Sequence, residues 1–205
     1  MKQNRSNTAV RVAVTDKREA ILRAATKVFA GKGYFNSKVA DIAKEAGIAD
    51  GTVYLYFNSK EEILHSIFNR AMEEFIEEGR RELAQFERAE EKLRRIAELH
   101  LEKLGADREM AIVFQVELRG STKFMEEFSA AGFAEYLEII RQTIEQGQTE
   151  GVFRKDLNSM TCAKILYGAL DEMVTNWVLS RKSYSLKPMA GEVLKIFFGG
   201  VLENE

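Results

Sequence analysis

Between Ile63 and Ile76 the apolar residues Ile63, Leu64, Ile67, Phe68, Ala71, Met72, Phe75 and Ile76 fall at three- and four-residue spacing without interruption. That period marks one face of an α-helix, and so long a stripe must be buried along its whole length. Ser59-Lys60-Glu61-Glu62 stands immediately before it and reads as a capping box, which fixes where the helix starts. The same period recurs through the rest of the chain, and alternation of the kind a half-buried strand needs does not reach a useful length. A single proline in 205 residues leaves little to interrupt helices. The expected fold class is therefore all-α, with about nine helices or more.

Residues 1–14 contain Lys2, Arg5 and Arg11, no acid and little pattern. They read as a flexible basic arm, either an untethered tail or one that lies in a minor groove. Helix one is expected from Thr15 or Asp16, with Asp16 and Glu19 as a capping box, and Gly31 and Gly33 end it. A second helix runs through Val39, Ile42, Ala43 and Ala46 and closes at Gly47; a third covers about Asp50 to Phe57. This divides the chain beyond the arm into 15–60, with three short helical segments, and 61–205. Within the second part, helices are expected over about 90–105, 108–119, 123–131, 133–150, 159–181 and 188–202. Met110–Leu118 is apolar enough for a buried strand, but its neighbours are helical and nothing is available to pair with it, so it reads as helix.

The formal net charge of −2 hides a division. Residues 1–60 hold eleven basic and five acidic residues, a net +6, and the remainder carries a net −8. A basic head on an acidic body is the asymmetry expected when one part faces a polyphosphate. Cys162 is the single cysteine, so no internal disulfide is possible, and no apolar run is long enough to span a bilayer. The chain reads as a cytoplasmic protein that does not enter membranes. No nucleophile–base pair, metal-ligand spacing or phosphate-binding glycine loop is visible, so no enzyme activity, cofactor or metal is expected. The two histidines, His65 and His100, stand apart from each other and do not make a metal site.

Ala43-Lys44-Glu45-Ala46-Gly47-Ile48-Ala49-Asp50-Gly51-Thr52-Val53-Tyr54-Leu55-Tyr56-Phe57 carries the functional information. Two short helices meet at Gly47, and Ile42, Ile48, Val53 and Phe57 seal a small core with helix one. That is a helix-turn-helix, whose second helix enters the major groove by its N-terminal end. Asp50 and Gly51 open that helix and allow close approach; Thr52, Tyr54 and Tyr56 project from it. From Ala20 to about Leu64 the sequence resembles the TetR family of transcriptional regulators, on Phe29, Gly33-Tyr34, Ile42-Ala43, Ala46-Gly47, Gly51-Thr52, Tyr54, Tyr56-Phe57 and Ser59-Lys60-Glu61-Glu62. The resemblance implies phosphate contacts from Thr52 and Tyr54, phosphate or base contacts from Tyr56 and a backbone contact from Lys60. Together with Ser37, Lys38, Asp50 and Gly51 these form the expected interface with a palindromic double-stranded operator. Two positions depart from the family pattern. Lys38-Val39-Ala40 replaces a Thr/Ser-Val-Arg opening, and Ala49 stands where a serine often caps the recognition helix, a loss of about 1 kcal/mol unless Asp50 takes over.

The resemblance also implies an N-terminal three-helix helix-turn-helix DNA-binding domain over 15–60 and a C-terminal helical ligand-binding and dimerisation domain over 61–205, with a homodimer built mainly from the last two helices. Residues 159–181 are apolar around much of their circumference, and Phe197, Phe198, Val201 and Leu202 add to that surface, as a two-fold helical seam requires. His100 lies on the stripe of Leu93, Ile96, Ala97, Leu101 and Leu104, where it serves either as a hydrogen-bonded core residue or as a ligand contact. Glu73, Glu74, Glu77 and Glu78 read as the solvated face of helix four; Asp171 and Glu172 fit either the pocket or the dimer rim. Residues 111–119 and 171–178 resemble the FadR-type members of the family, acyl-CoA-responsive repressors of fatty-acid degradation genes. That implies a long-chain acyl-CoA effector held in an apolar tunnel with a cationic mouth. Ile96, His100, Ile112, Gln115, Val116, Leu137, Ile140, Leu170 and Trp177 are the expected tunnel residues, and Arg108, Arg119 or Arg141 the expected mouth. The competing expectation within the family is a repressor of an efflux system that responds to aromatic or cationic drugs.

Overall fold

The computed structural model describes residues 3–120, 123, 124, 126, 132–182 and 184–202, with side chains from residue 16 onward. The described residues form nine α-helices and no strand; a lone bridge joins Phe153 to Leu202. The chain divides into two compact units, Met1–Arg70 and Ala71–Glu205.

The first unit contains α1 (Gln3–Lys32), α2 (Val39–Ala46), α3 (Asp50–Val53) and the opening turns of α4 (Lys60–Leu83). Helix α1 starts well before Asp16, which therefore lies inside the helix and does not cap it. The reason is local: no glycine or proline stands between Gln3 and Ala30, and extending an existing helix costs little. Of the expected glycines Gly31 lies inside α1, whereas Gly33 and Gly47 follow the last residue of their helices. Gly33 adopts φ 79° and donates its N–H to Phe29 O at 2.9 Å. Gly47 adopts φ 67°, and Ile48 N–H reaches back to Ala43 O at 3.0 Å. Between them Ile21, Ala25, Phe29, Ile42, Val53, Phe57 and Leu64 are fully buried, the small core the sequence implies.

Helix α3 is shorter than expected and gives way to a turn at Tyr54–Tyr56. Ala49 offers no side-chain cap, and Phe57 folds back into the core with its N–H on Val53 O at 3.0 Å. The start of α4 also differs by one residue from the expected box. Ser59 Oγ accepts the Glu62 N–H at 3.0 Å, but the Glu62 carboxylate accepts from Asn58, backbone and side chain, at 2.7 and 2.9 Å.

The second unit contains the rest of α4, then α5 (Ala89–Ala106), α6 (Arg108–Ile112), α7 (Gly132–Glu150), α8 (Ser159–Leu179) and α9 (Met189–Val201). Helix α6 continues without a break into a π-helical turn, Val113–Glu117, and a 3₁₀ turn, Leu118–Gly120. The stretch that was apolar enough for a strand is thus helical. The helix expected over 123–131 falls largely outside the described residues. Helix α5 packs on α7, α8 and α9, and α8 packs on α7 and α9, around Leu93, Leu101, Ile140, Leu166, Leu170 and Phe198.

One glycine in this unit is fixed by space. A Cβ on Gly147 would run into the ring of Phe153, which is fully buried and stacks on Phe198 at 6.1 Å between centroids. Gly147 O also accepts from Val152 and Phe153 N–H at 3.0 and 3.1 Å, so neither side can retreat freely. Gly147→Ala is expected to destabilise the protein by about 1–3 kcal/mol, read from urea unfolding. A change within about 0.5 kcal/mol, the size of a neutral surface substitution, would show that Phe153 repacks without cost.

Candidate nucleic-acid interface and effector cavity

Lys38, Asp50, Gly51 and Tyr54 are exposed, Tyr54 at 55%, and Thr52 and Tyr56 are half-buried. Asp50, Gly51, Thr52, Tyr54 and Tyr56 follow one another because Gly47 turns the chain between α2 and α3, and Val53 and Phe57 take the inward positions of that stretch. Exposed tyrosine of this kind suits a phosphate or base contact, since its hydroxyl lies at the end of a rigid ring.

Two of the expected contact residues are turned inward. Ser37 is buried and donates its hydroxyl to Gly33 O at 2.6 Å. Lys60 Nζ donates to Tyr34 O at 2.6 Å and to Ser37 O at 2.8 Å, and lies 4.2 Å from the centre of the Tyr34 ring. Partial burial holds the Lys60 ammonium below its ordinary pKa. Lys60 therefore clamps the α1–α2 loop to the start of α4, satisfying carbonyls that leave helical geometry after Gly33. Elsewhere in the basic head, Lys32 pairs with Asp41 at 2.6 Å and Lys27 with Glu45 at 2.5 Å. Hydrogen bonds from the Lys32 ammonium and the Lys38 N–H keep the Asp41 carboxyl below the usual carboxylate range.

A cavity of about 390 Å³ opens in the second unit, lined from α4, α5, the α6–π segment, α7 and α8. Its apolar side includes Met72, Phe75, Leu104, Phe114, Leu118 and Phe133. Of the expected tunnel and mouth residues, His100, Gln115 and Arg119 line it. Ile96, Leu137, Ile140, Leu170 and Trp177 are buried away from it, Ile112 is half-buried outside the lining, and Val116 is exposed. Spacing identifies an apolar face but not whether that face meets a void or another side chain, which is why core and cavity residues look alike in sequence. Two expected mouth cations are engaged elsewhere. Arg108 donates to Val178 O and Ser180 O at 2.9 and 3.1 Å and lies over the Trp177 ring, tying down the end of α8. Arg141 is held by Glu138 and Glu145 on its own helix. Glu74 and Glu78 belong to the cavity lining, whereas Glu73 and Glu77 are on the solvated face as expected.

The polar side of the cavity is centred on Asp171, which is buried. Its Oδ1 accepts from Gln115 Nε2 at 2.8 Å and Tyr167 OH at 3.1 Å, and its Oδ2 accepts from Arg119. Thr175 donates to Gln115 Oε1 at 2.9 Å, which fixes that amide. Glu172, the neighbour with which Asp171 shared two possible placements, is exposed and bonds Asn176. Next to this cluster His100, Tyr136, Tyr167 and Phe75 meet ring to ring, and His100 Nδ1 lies 3.0 Å from the Tyr136 hydroxyl. Burial pushes His100 down to about 4, against the opposing pull of Asp171, and raises Tyr136 and Tyr167 above the ordinary phenol value. No group of histidine, cysteine, aspartate and glutamate among the described residues could hold a metal ion.

On the outside of this unit Ile165 and Leu179 of α8 and Ile196 of α9 are exposed, Ile196 at 80%. Phe197, Phe198 and Val201, expected to enlarge the surface at the chain end, are buried within the chain itself instead. Among the described residues no helix is long and apolar enough to cross a membrane.

Residues 21–67 match the family described as bacterial regulatory proteins, tetR family, and residues 68–200 match the C-terminal region described as YsiA-like. The fatty acid metabolism regulator protein of Bacillus subtilis is 36% identical over 181 residues, covering 88% of this chain and 93% of that protein. A solved fatty acid degradation regulator FadR from Bacillus halodurans superposes with a TM-score of 0.86 at 36% identity, over 90% of this chain and 95% of the other. FadR from Bacillus subtilis, solved in complex with stearoyl-CoA, gives 0.84 at 35% identity over 89% and 98%.

Proposed function

We propose, since this chain belongs to the TetR family of bacterial regulatory proteins, that it is a DNA-binding repressor of fatty-acid degradation genes, released from its operator by long-chain acyl-CoA. The observation that carries the effector class is the cavity itself: about 390 Å³, apolar on one side, with Asp171, Gln115, Tyr167 and Arg119 on the other. An acyl chain needs the first wall and the polar end of a thioester needs the second. Arg119 is the cation of the mouth. An aromatic or cationic drug would meet the same rings, but relatives 35–36% identical over 88–90% of this chain are described as fatty-acid regulators.

On this reading Lys38, Asp50, Gly51, Thr52, Tyr54 and Tyr56 face the operator, while Ser37 and Lys60 hold the loop that presents them. A palindromic operator needs paired readers about 34–36 Å apart, one helical turn. The exposed Ile165, Leu179 and Ile196 on the last two helices offer the apolar seam of a homodimer. Helix α4 begins at Lys60 and contributes Ala71, Met72 and Phe75 to the cavity lining, so a ligand that moves those turns acts on the helix that holds Lys60. The effector stabilises one of two forms by its differential affinity for them.

Titrating a protein–operator complex with acyl-CoAs of increasing length tests the effector. Release is expected from long chains and not from free CoA; release by aromatic cations with indifference to every acyl-CoA would replace this reading by the drug-responsive one. For the interface, Tyr54→Ala is expected to weaken operator binding about tenfold, ~1.4 kcal/mol, without changing the melting temperature. Unchanged affinity at physiological salt would remove Tyr54 from the interface.

A further inference from the structure

Beside the cavity one buried polar atom of a lining residue has no hydrogen-bond partner among the described residues, Nε2 of His100. The residue is 5% exposed, and its other nitrogen is occupied by the Tyr136 hydroxyl at 3.0 Å. Counting protons decides which way that bond runs. Tyr136 is also 5% exposed and carries one O–H proton that needs an acceptor, and Nδ1 is the acceptor beside it. With the phenol donating into Nδ1, the neutral ring carries its own proton on Nε2. The other tautomer leaves the phenol proton without an acceptor and Nε2 still unbonded, two deficits instead of one. Burial keeps the ring neutral, its pKa lowered to about 4. The rings around it, Phe75 and Tyr167, stand edge-on at 6.3 and 5.9 Å between centroids. Asp171, the nearby carboxylate, already accepts from Gln115, Tyr167 and Arg119.

We propose that His100 reads an oxygen acceptor on the effector, its Nε2–H donating to the thioester carbonyl of an acyl-CoA. This rests on the acyl-CoA reading above and makes it specific. A buried N–H donor favours a ligand with an acceptor at that point and disfavours one without, because binding the latter leaves the donor unsatisfied in a dry site. A hydrocarbon chain of the same length, or a cation, offers no acceptor. His100 therefore separates an activated acyl group from a merely greasy molecule.

The test compares three probes on the full chain: stearoyl-CoA, S-octadecyl-CoA (a thioether that lacks the carbonyl) and free stearate. Wild type is expected to bind the thioester about 10- to 100-fold more tightly than the thioether. His100→Phe is expected to bind both alike, at the thioether's level, and His100→Gln, which retains an N–H donor, to recover part of the preference. With [1-¹³C]stearoyl-CoA the carbonyl resonance should move downfield on binding wild type and not on binding His100→Phe. Equal affinity of wild type for thioester and thioether, with the carbonyl resonance unmoved, overturns the proposal while acyl-CoA binding stands. Stearate matching the thioester in affinity overturns the thioester assignment in favour of a carboxylate. If wild type binds none of the acyl probes, the acyl-CoA reading itself has failed.

Discussion

Phe29→Ala is expected to abolish operator binding while acyl-CoA binding persists. Phe29 is completely buried in α1 and meets Tyr34 edge-on at 5.3 Å between centroids; Tyr34 in turn lies beneath the Lys60 ammonium. Removing a fully buried phenylalanine costs about 3–5 kcal/mol, from the lost transfer free energy and the cavity left behind. The first unit is small, and a loss of that size approaches the whole stability of a domain such as this. The hydrophobic cluster around the effector cavity begins at Met72 and does not include Phe29. Hydrogen exchange read segment by segment should therefore show lost protection in 16–57 and unchanged protection in α5, α7 and α8. Uniform loss in both units would show that their stabilities are not separable.

The second large effect is at Asp171. Three donors converge on its carboxylate, from Gln115, Tyr167 and Arg119. Asp171→Ala strands all three at once, a cost of about 3–5 kcal/mol for breaking a buried pair, less what solvent returns to the part-exposed Arg119. The effector response should be lost with it, since Gln115 and Tyr167 are no longer held at the cavity wall. The accompanying control is Asp171→Ala combined with Arg119→Met, which removes both partners and should be more stable than Asp171→Ala alone. If the double variant is destabilised by the full sum of the two single effects, the pair is not coupled and the polar wall is not a unit.

The fold was largely legible because helix stop signals are chemical. Gly33 and Gly47 take the positive φ that only glycine adopts cheaply, and both end the helices expected to end there. Asp16 misled because a capping residue starts a helix only where the preceding chain cannot be helical, and nothing before it prevents helix. On the proposed DNA-facing side, the exposure of Tyr54 could be placed by its position in the turn after α3. The inward turn of Ser37 and Lys60 could not, because it depends on loop carbonyls that no side-chain pattern encodes. At the cavity the polar residues His100, Gln115 and Arg119 were found and the apolar ones were not. A polar residue on an apolar helix is already anomalous in sequence, whereas Leu170 and Phe114 differ only in what happens to face them. Asp171 was visible as an anomaly, but two of its three donors, Gln115 and Arg119, come from a distant segment that only folding brings to it.

The π-helical turn at Val113–Glu117 holds one residue more than an α-turn. Each residue of an α-helix advances the side chains by about 100°, so that single surplus residue sets the bearing of everything after it. Gln115 lies within the wide turn and Arg119 just past it, and both reach Asp171. In a sequence aligned to an uninterrupted α-helix the turn would look like a one-residue insertion, and shortening it would swing Arg119 roughly a quarter-turn off its target. The aim of the charged wall is thus stored in the length of the chain as well as in its side chains. A gap of one position in this segment, among proteins that otherwise share its residues, would mark those whose cavities recognise something else.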